Sequence, residues 1–299
     1  MSRARQFLSG TTYSVARRCT LRMFLLKPSK RVNQLFLYCL AYAAQKYGIL
    51  VHEFIAMSNH YHIEVTDPHG KLPLFMQCLD SLLARSLNAH YGRCEHFWAP
   101  DTYDYFTIED AQTAVDKAVY ILANPVAAGL VKRSRLWPGN SSVGYRYGEP
   151  ITVERPDEFF RENGPMPQEL TFTLTKPPAL AHLGDDKARS LVLEQLDAKE
   201  MRIRRKMKVL GQRFAGRHAV MRTRPFDSPD TPVRLRKLNP RVACRDPGRR
   251  VAALNRLKAF EQEYRECYLR WRAGDRGVVF PEGTYQLRVQ HGVTCRAPP

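Results

Sequence analysis

Residues 49–66, ILVHEFIAMSNHYHIEVT, restrict the fold more than any other stretch. Two runs rich in β-branched and aromatic residues flank Ser58-Asn59, which reads as a two-residue turn, so a hairpin of strands 49–56 and 60–66 is predicted. Side chains alternate along a strand. Tyr61, Ile63 and Val65 therefore share a face that needs an apolar cover, while His60, His62 and Glu64 share the other. Neighbouring segments supply that cover. Residues 30–47 have helical periodicity with Gly48 placed to stop them, and 71–90 put Leu74, Phe75, Cys78, Leu82 and Leu83 on one side. Strands over 17–26 and 102–108 and a helix over 110–124 complete a βαββαβα order. The expected fold class is α+β: a ferredoxin-like, split-βαβ antiparallel sheet with helices on one face, leaving the other for a ligand.

The remainder of the chain has a different character. Length, 299 residues, suggests two domains. We read 1–150 as the sheet-containing domain, the Pro-rich and polar 151–185 as a linker, and 186–299 as a basic, mostly helical accessory region. Helices are expected over 186–210 and over 248–272, where Leu257, Phe260, Tyr264, Tyr268 and Trp271 recur at three- and four-residue spacing. Residues 211–246, rich in Arg with few apolar positions, are expected to be partly disordered. FPEGTY at 280–285 reads as a turn entering a strand. The formal charge is +18: residues 1–150 carry 17 basic against 11 acidic residues, and 151–299 carry 30 against 18. Such an excess implies a polyanionic partner, usually nucleic acid. No apolar run of about 18 residues exists to cross a membrane. Seven scattered cysteines without a C-x-x-C pair argue against a disulfide framework or zinc–thiolate site and fit a reducing cytoplasm. The acid-free first 26 residues faintly resemble a transit peptide, but 19–26 reads as part of the fold, so that reading is set aside.

Chemistry concentrates in two places. The His60 and His62 side chains leave the same face roughly 6–7 Å apart at the backbone, close enough to share one metal ion; two solvated histidines fit the spacing equally well. In the helix at 110–124, apolar positions 111, 115, 118, 119 and 122 fall within an arc of about 100°. Tyr120 lies on the polar side instead, near Thr113, Lys117 and Asn124, before Pro125 ends the helix. Asn124 reads as a polar side chain one turn past the tyrosine or simply as a helix-terminal cap.

These residues carry a resemblance. H-Y-H is a His–hydrophobic–His motif. The phrases "MSNHYH", "YILANPVAAGLV" and "LWPGNSSVGY" follow one another as in the single-tyrosine HUH transposases, and resemble the REP-associated tyrosine transposase branch of that insertion-sequence-related family. The similarity covers about residues 15–148. It implies a ferredoxin-like catalytic domain, Tyr120 as nucleophile and His60 and His62 as metal ligands, with Asn124 at a place where relatives carry a polar ligand of varying type. It further implies a divalent cofactor, Mg²⁺ or Mn²⁺, and single-stranded or hairpin DNA as partner. The reaction would be cleavage and strand transfer through a 5′-phosphotyrosine, by one chain or a homodimer, in a prokaryotic cytoplasm at the nucleoid.

From the residues themselves, Arg17, Arg18, Arg22, Lys27, Lys30, Arg31 and Lys117 are candidate DNA contacts, and Tyr103 and Tyr105 candidates for base stacking or for packing. Lys117 also stands where it can favour a phenolate at Tyr120. Three other readings stay open: an RNA-binding sheet module, which calls for aromatics where the histidines stand; a domesticated hairpin-binding protein or nuclease that no longer transposes; and a metal-dependent hydrolase in which Glu64 activates water.

Overall fold

The computed structural model describes residues 4–100, 103–157, 159–161, 163–232 and 240–297. Its first strand, β1, is Thr11–Arg18, earlier than the expected 17–26. Tyr13 and Val15 give it the alternating buried face. The apolar residues that suggested a later strand are buried in a loop: Leu25 and Leu26 lie in the core, and the Leu26 N–H donates to the Ser58 carbonyl. Leu21 and Arg22 have positive φ, which no strand tolerates.

The hairpin forms as expected, with β2 at Leu50–Ala56 and β3 at His60–Asp67, closed by Met57 N–H to the His60 carbonyl. With β4, Asp104–Ile108, and a two-residue parallel edge strand, here numbered β7, at Val242–Ala243, the sheet order is β2-β3-β1-β4-β7. The expected first residue of the fourth strand, 102, lies outside the described residues.

Helix α1, Lys30–Tyr47, begins at a Ser29 cap that accepts from Val32 N–H and ends at left-handed Gly48. It packs with α2, Leu72–Tyr91, on the face bearing Tyr61 and Phe54, which meet Phe36 of α1 at 5.7 and 6.3 Å between ring centroids. The opposite face is not open. Ile55 and His62 are direct cross-strand partners, and Ile55 packs with Ile121 of α3, Ala111–Leu122. Thus α3 crosses the histidine-bearing face, and α5, Asp185–Val209, lies against α3.

A short α4, Asn124–Ala127, follows α3 directly, with Pro125 inside its first turn. Residues 137–142 then run along the edge of β2. The Trp137 indole N–H donates to the Ala56 carbonyl at 2.9 Å, Ala56 N–H donates to Asn140, and Ser142 Oγ accepts from Phe54 N–H. Within the stretch read as a linker, β5, Pro150–Glu154, and β6, Glu169–Thr173, pair as a hairpin against α1. The Tyr38 hydroxyl donates to Pro167 there.

The α+β sheet region is therefore followed by a mainly helical, basic C-terminal region. It contains α5, α6 at Arg217–Arg222, α7 at Pro247–Arg272 and α8 at Gln286–His291. Tyr264, Tyr268 and Trp271 pack around buried Cys267, Val278 and Phe280. The turn expected near 283 is present, but α8 rather than a strand follows it. Of the stretch expected to be disordered, 211–246, residues 233–239 lie outside the described residues. All seven cysteines are free thiols. Among the described residues no helix is long and apolar enough to cross a membrane.

Candidate active site

Strand register sets the first half of the site. His60 and His62 leave the sheet on the α3 side, their ring centroids 5.0 Å apart and nearly perpendicular. Asn59, in the hairpin turn, places Oδ1 2.7 Å from His60 Nδ1, which orients that ring with its other nitrogen directed away. The second half comes from α3. The Asp110 carboxylate caps this helix, accepting from the Thr113 N–H and hydroxyl and from Arg245 N–H. Burial opposes ionisation of Asp110, but hydrogen bonding from Cys244, followed by these bonds, holds its carboxyl below the usual range. With its apolar arc against the sheet and α5, α3 presents Tyr120 at the margin. The phenol is 45% exposed, and its ring meets His62 at 5.6 Å, edge to face.

Two lysines flank that phenol. Lys117 Nζ lies 5.8 Å from the Tyr120 ring centroid and 4.5 Å from that of Phe106. Lys199 Nζ, from α5, lies 5.4 Å from the Tyr120 ring. Burial lowers the pKa of both, against the pull of Asp116. Behind them Glu64 is fully buried, with no hydrogen-bond partner on either carboxylate oxygen among the described residues. Burial, then the neighbouring Glu53, push its pKa well above the carboxylate range, with Lys117 opposing.

Sequence reasoning missed Lys199. A partial signal was there: Ala188, Val192 and Leu196 are the apolar members of the buried face of α5, which Arg189 and Glu200 share and partly buried Ile203 extends, and Lys199 falls between Leu196 and Ile203 at helical spacing.

The structure gathers His60, His62, Tyr120 and Lys117, and scatters the remaining cations. Arg18 pairs in register with His60 and is exposed. Lys27 follows Leu26, whose N–H is held by the turn residue Ser58; Lys30 is exposed in the first turn of α1. Arg22 is held on Thr231. Arg17 faces the other side of the sheet, 13% exposed, ion-paired with Asp80 and over the Trp98 ring. Arg31 acts on His90 of α2, whose pKa burial and then that guanidinium lower. Tyr105 is buried against Phe7 and Tyr13, with Tyr103 packed beside it, so neither presents a face for stacking.

The two imidazoles are close enough to share one ion. With nitrogen-to-metal distances of about 2.1 Å, one ion can bridge imidazoles at this separation. Asn124, at the head of α4 one turn past Tyr120, has a buried Nδ2 without a hydrogen-bond partner among the described residues. Among the described residues no three His, Cys, Asp or Glu side chains gather as a metal cluster. A site here would rest on two imidazoles and an amide.

No protein-family model matches the chain, and no curated protein matches it. Solved structures are similar over part of the fold. A REP-associated tyrosine transposase bound to a REP hairpin is 18% identical, with a TM-score of 0.40 over 48% of this chain and 82% of that one. A candidate transposase from Deinococcus radiodurans is 17% identical, with a TM-score of 0.29 over 39% and 93%. The tRNA(His) guanylyltransferase of Saccharomyces cerevisiae is 13% identical, with a TM-score of 0.33 over 42% and 63%. At these TM-scores none of the three assigns an activity to the chain.

Proposed function

We propose that the chain cleaves and rejoins single-stranded DNA, with Tyr120 as nucleophile. The observation that carries this reading is the exposed phenol of Tyr120 set against the His62 ring, 5.6 Å between centroids, with the His60 ring beyond it. Tyr120 Oη attacks phosphorus, the bond from phosphorus to the 3′ oxygen breaks, and a 5′-phosphotyrosine forms. The phenolic proton leaves to solvent and the departing 3′ oxygen gains one. Because the ester is conserved, another 3′ hydroxyl reverses the step and joins new ends without a nucleotide cofactor.

A phenol loses its proton only near pH 10 in water. The ammonium of Lys117 favours the anion and attracts the phosphate. A Mg²⁺ or Mn²⁺ ion held by His60, His62 and Asn124 would supply Lewis-acid charge to a non-bridging phosphate oxygen; two imidazoles favour Mn²⁺, and cellular abundance Mg²⁺. Arg18, Lys27 and Lys30 give the strand an electrostatic path to the site. Glu64 is fully buried, where an attacking water cannot reach its carboxyl, which supports attack by tyrosine over attack by a water that Glu64 activates. In this reading the partner is single-stranded or hairpin DNA, acted on by one chain or a homodimer in a prokaryotic cytoplasm, as in transposition of hairpin-bearing elements.

The test is incubation of labelled, hairpin-bearing single strands with Mn²⁺. The wild type forms an SDS-resistant adduct and Tyr120→Phe does not; an adduct that survives the substitution refutes the assignment.

A further inference from the structure

Helix α5 belongs to the C-terminal region, yet one of its side chains reaches the tyrosine. We propose that Lys199 forms with Lys117 a cationic clamp around Tyr120 that holds the phosphate under attack, so that the working site draws on both halves of the chain. The inference rests on the reading of Tyr120 as nucleophile and deepens it.

Position argues first. Lys199 stands half-buried at the edge of the covered face of α5, three positions after Leu196, four before Ile203 and next to buried Glu200. A lysine there costs free energy through desolvation unless its charge is used. Its surroundings argue second. The two ammoniums approach the same ring, at 5.4 and 5.8 Å from its centroid. Neither forms an ion pair among the described residues: the acid that most affects both, Asp116, is itself paired with Arg245 at 2.6 Å. Two half-buried cations of like sign repel, and an anion between them relieves the repulsion. Attachment of α5 argues third. Arg189 binds buried Glu53 of β2 at 2.5 Å, and buried Glu200, next to Lys199, accepts from Ser134 N–H at 2.7 Å. The helix is thus pinned on both sides of the segment that delivers the lysine, and delivery does not depend on a mobile arm. A phosphodiester on Tyr120 Oη adds negative charge to the ring that both lysines approach.

The competing account is that Lys199 only packs, its ammonium resting on the phenol ring as a cation–π contact. Lys199→Met separates the two. It keeps the length of the side chain and its contact with the Tyr120 ring without the charge, so a packing role leaves adduct formation intact. The clamp predicts that the rate of adduct formation at saturating hairpin-bearing DNA, with Mn²⁺, falls at least about tenfold. It also predicts that Lys199→Arg recovers most of that rate and that the thermal midpoint of Lys199→Met is no lower than that of the wild type. Lys199→Gln, which loses charge but keeps a polar head, is expected to be as slow as Lys199→Met and serves if the latter does not fold. Wild-type rates in the charge-removing variants overturn the clamp while leaving the tyrosine reading standing. A wild-type protein that forms no adduct overturns both.

Discussion

Replacing Arg189 with Ala tests how much of the molecule depends on the junction between α5 and the sheet. The guanidinium Nη1 donates to Glu53 Oε1 at 2.5 Å, Nη2 donates to the Ser142 carbonyl at 2.6 Å, and the group lies 5.2 Å from the Tyr147 ring centroid. Glu53, itself fully buried, also accepts from the Tyr147 and Ser142 hydroxyls. Bonds to charged groups contribute about 1.5–3 kcal/mol each, and breaking one side of a buried pair costs about 3–5 kcal/mol because a charge is left stranded. We expect a loss in that range at pH 7.5. The stranded carboxyl has an escape, which is to take up a proton. Burial already pushes the Glu53 pKa up, with Arg189 the main opposing charge. Without Arg189 the folded pKa rises further above the unfolded value, so the folded state binds more protons than the unfolded one. Stability then falls as pH rises through the window above the ordinary carboxylate pKa. The penalty at pH 5.5 should therefore be smaller than at pH 7.5. Urea unfolding followed by tryptophan fluorescence at the two pH values reads both quantities. Because a buried pair can be exchanged for hydrocarbon, the double variant Glu53→Leu/Arg189→Met should recover most of the loss. A cost under about 1 kcal/mol for Arg189→Ala at pH 7.5, or a double variant no better than the single, refutes the reasoning.

Three further outcomes are expected. Chelation of divalent ions abolishes adduct formation and Mn²⁺ restores it, while His60→Ala and His62→Ala remain folded by circular dichroism but form no adduct; an active His62→Ala protein would remove the imidazole pair from the reaction. Gly139→Ala destabilises by about 1–3 kcal/mol in thermal melts, because a β carbon there lies 2.6 Å from Trp137 Nε1 and 2.9 Å from the Ala56 carbonyl, breaking the bond between them; an unchanged midpoint counts against that packing. Burial pushes the Asp80 pKa up to about 7 despite the Tyr61 hydrogen bond and Arg17. Since the folded state holds that proton where the unfolded state has lost it, stability declines from about pH 4 to 7, and Asp80→Asn should flatten the decline in urea titrations across that range.

The parts of this structure legible in the sequence are those fixed by local pattern. The β2–β3 hairpin follows from alternation around Ser58-Asn59, α1 from its periodicity and Gly48, and the polar-side position of Tyr120 from the apolar arc of α3. Features decided by distant partners were not legible. Leu25 and Leu26 have strand-like composition, but both are buried in a loop whose Leu26 N–H donates to the hairpin turn, and the strand that pairs with β3 begins six residues earlier. The 150–173 segment looks like a linker because its Pro and polar residues mask two short strands whose cover comes from α1. Arg17 and Arg18 are adjacent in sequence, and alternation alone sends one to Asp80 and the other beside His60.

The histidine-bearing face carries the most instructive difference. Alternation predicts a polar face and leaves open what lies over it. That face holds Glu53, Glu64, His60 and His62, an unusual concentration of ionisable groups for a surface that is only partly wet. Glu53 requires Arg189, and Arg189 lies on α5; burial of Glu64 requires α3 above it, next to Lys117. The acids of the sheet and the cations of the helices therefore select one another, and covering the face with α3 and α5 is what brings Tyr120 to His62 and Lys199 to Tyr120. Dividing the chain at residue 150 separates these groups on paper. Truncation before α5 should therefore do more than remove a basic surface. It should strand Glu53 and expose the apolar arc of α3, leaving a fragment that aggregates or unfolds, and a well-folded, adduct-forming fragment of residues 1–150 would contradict it.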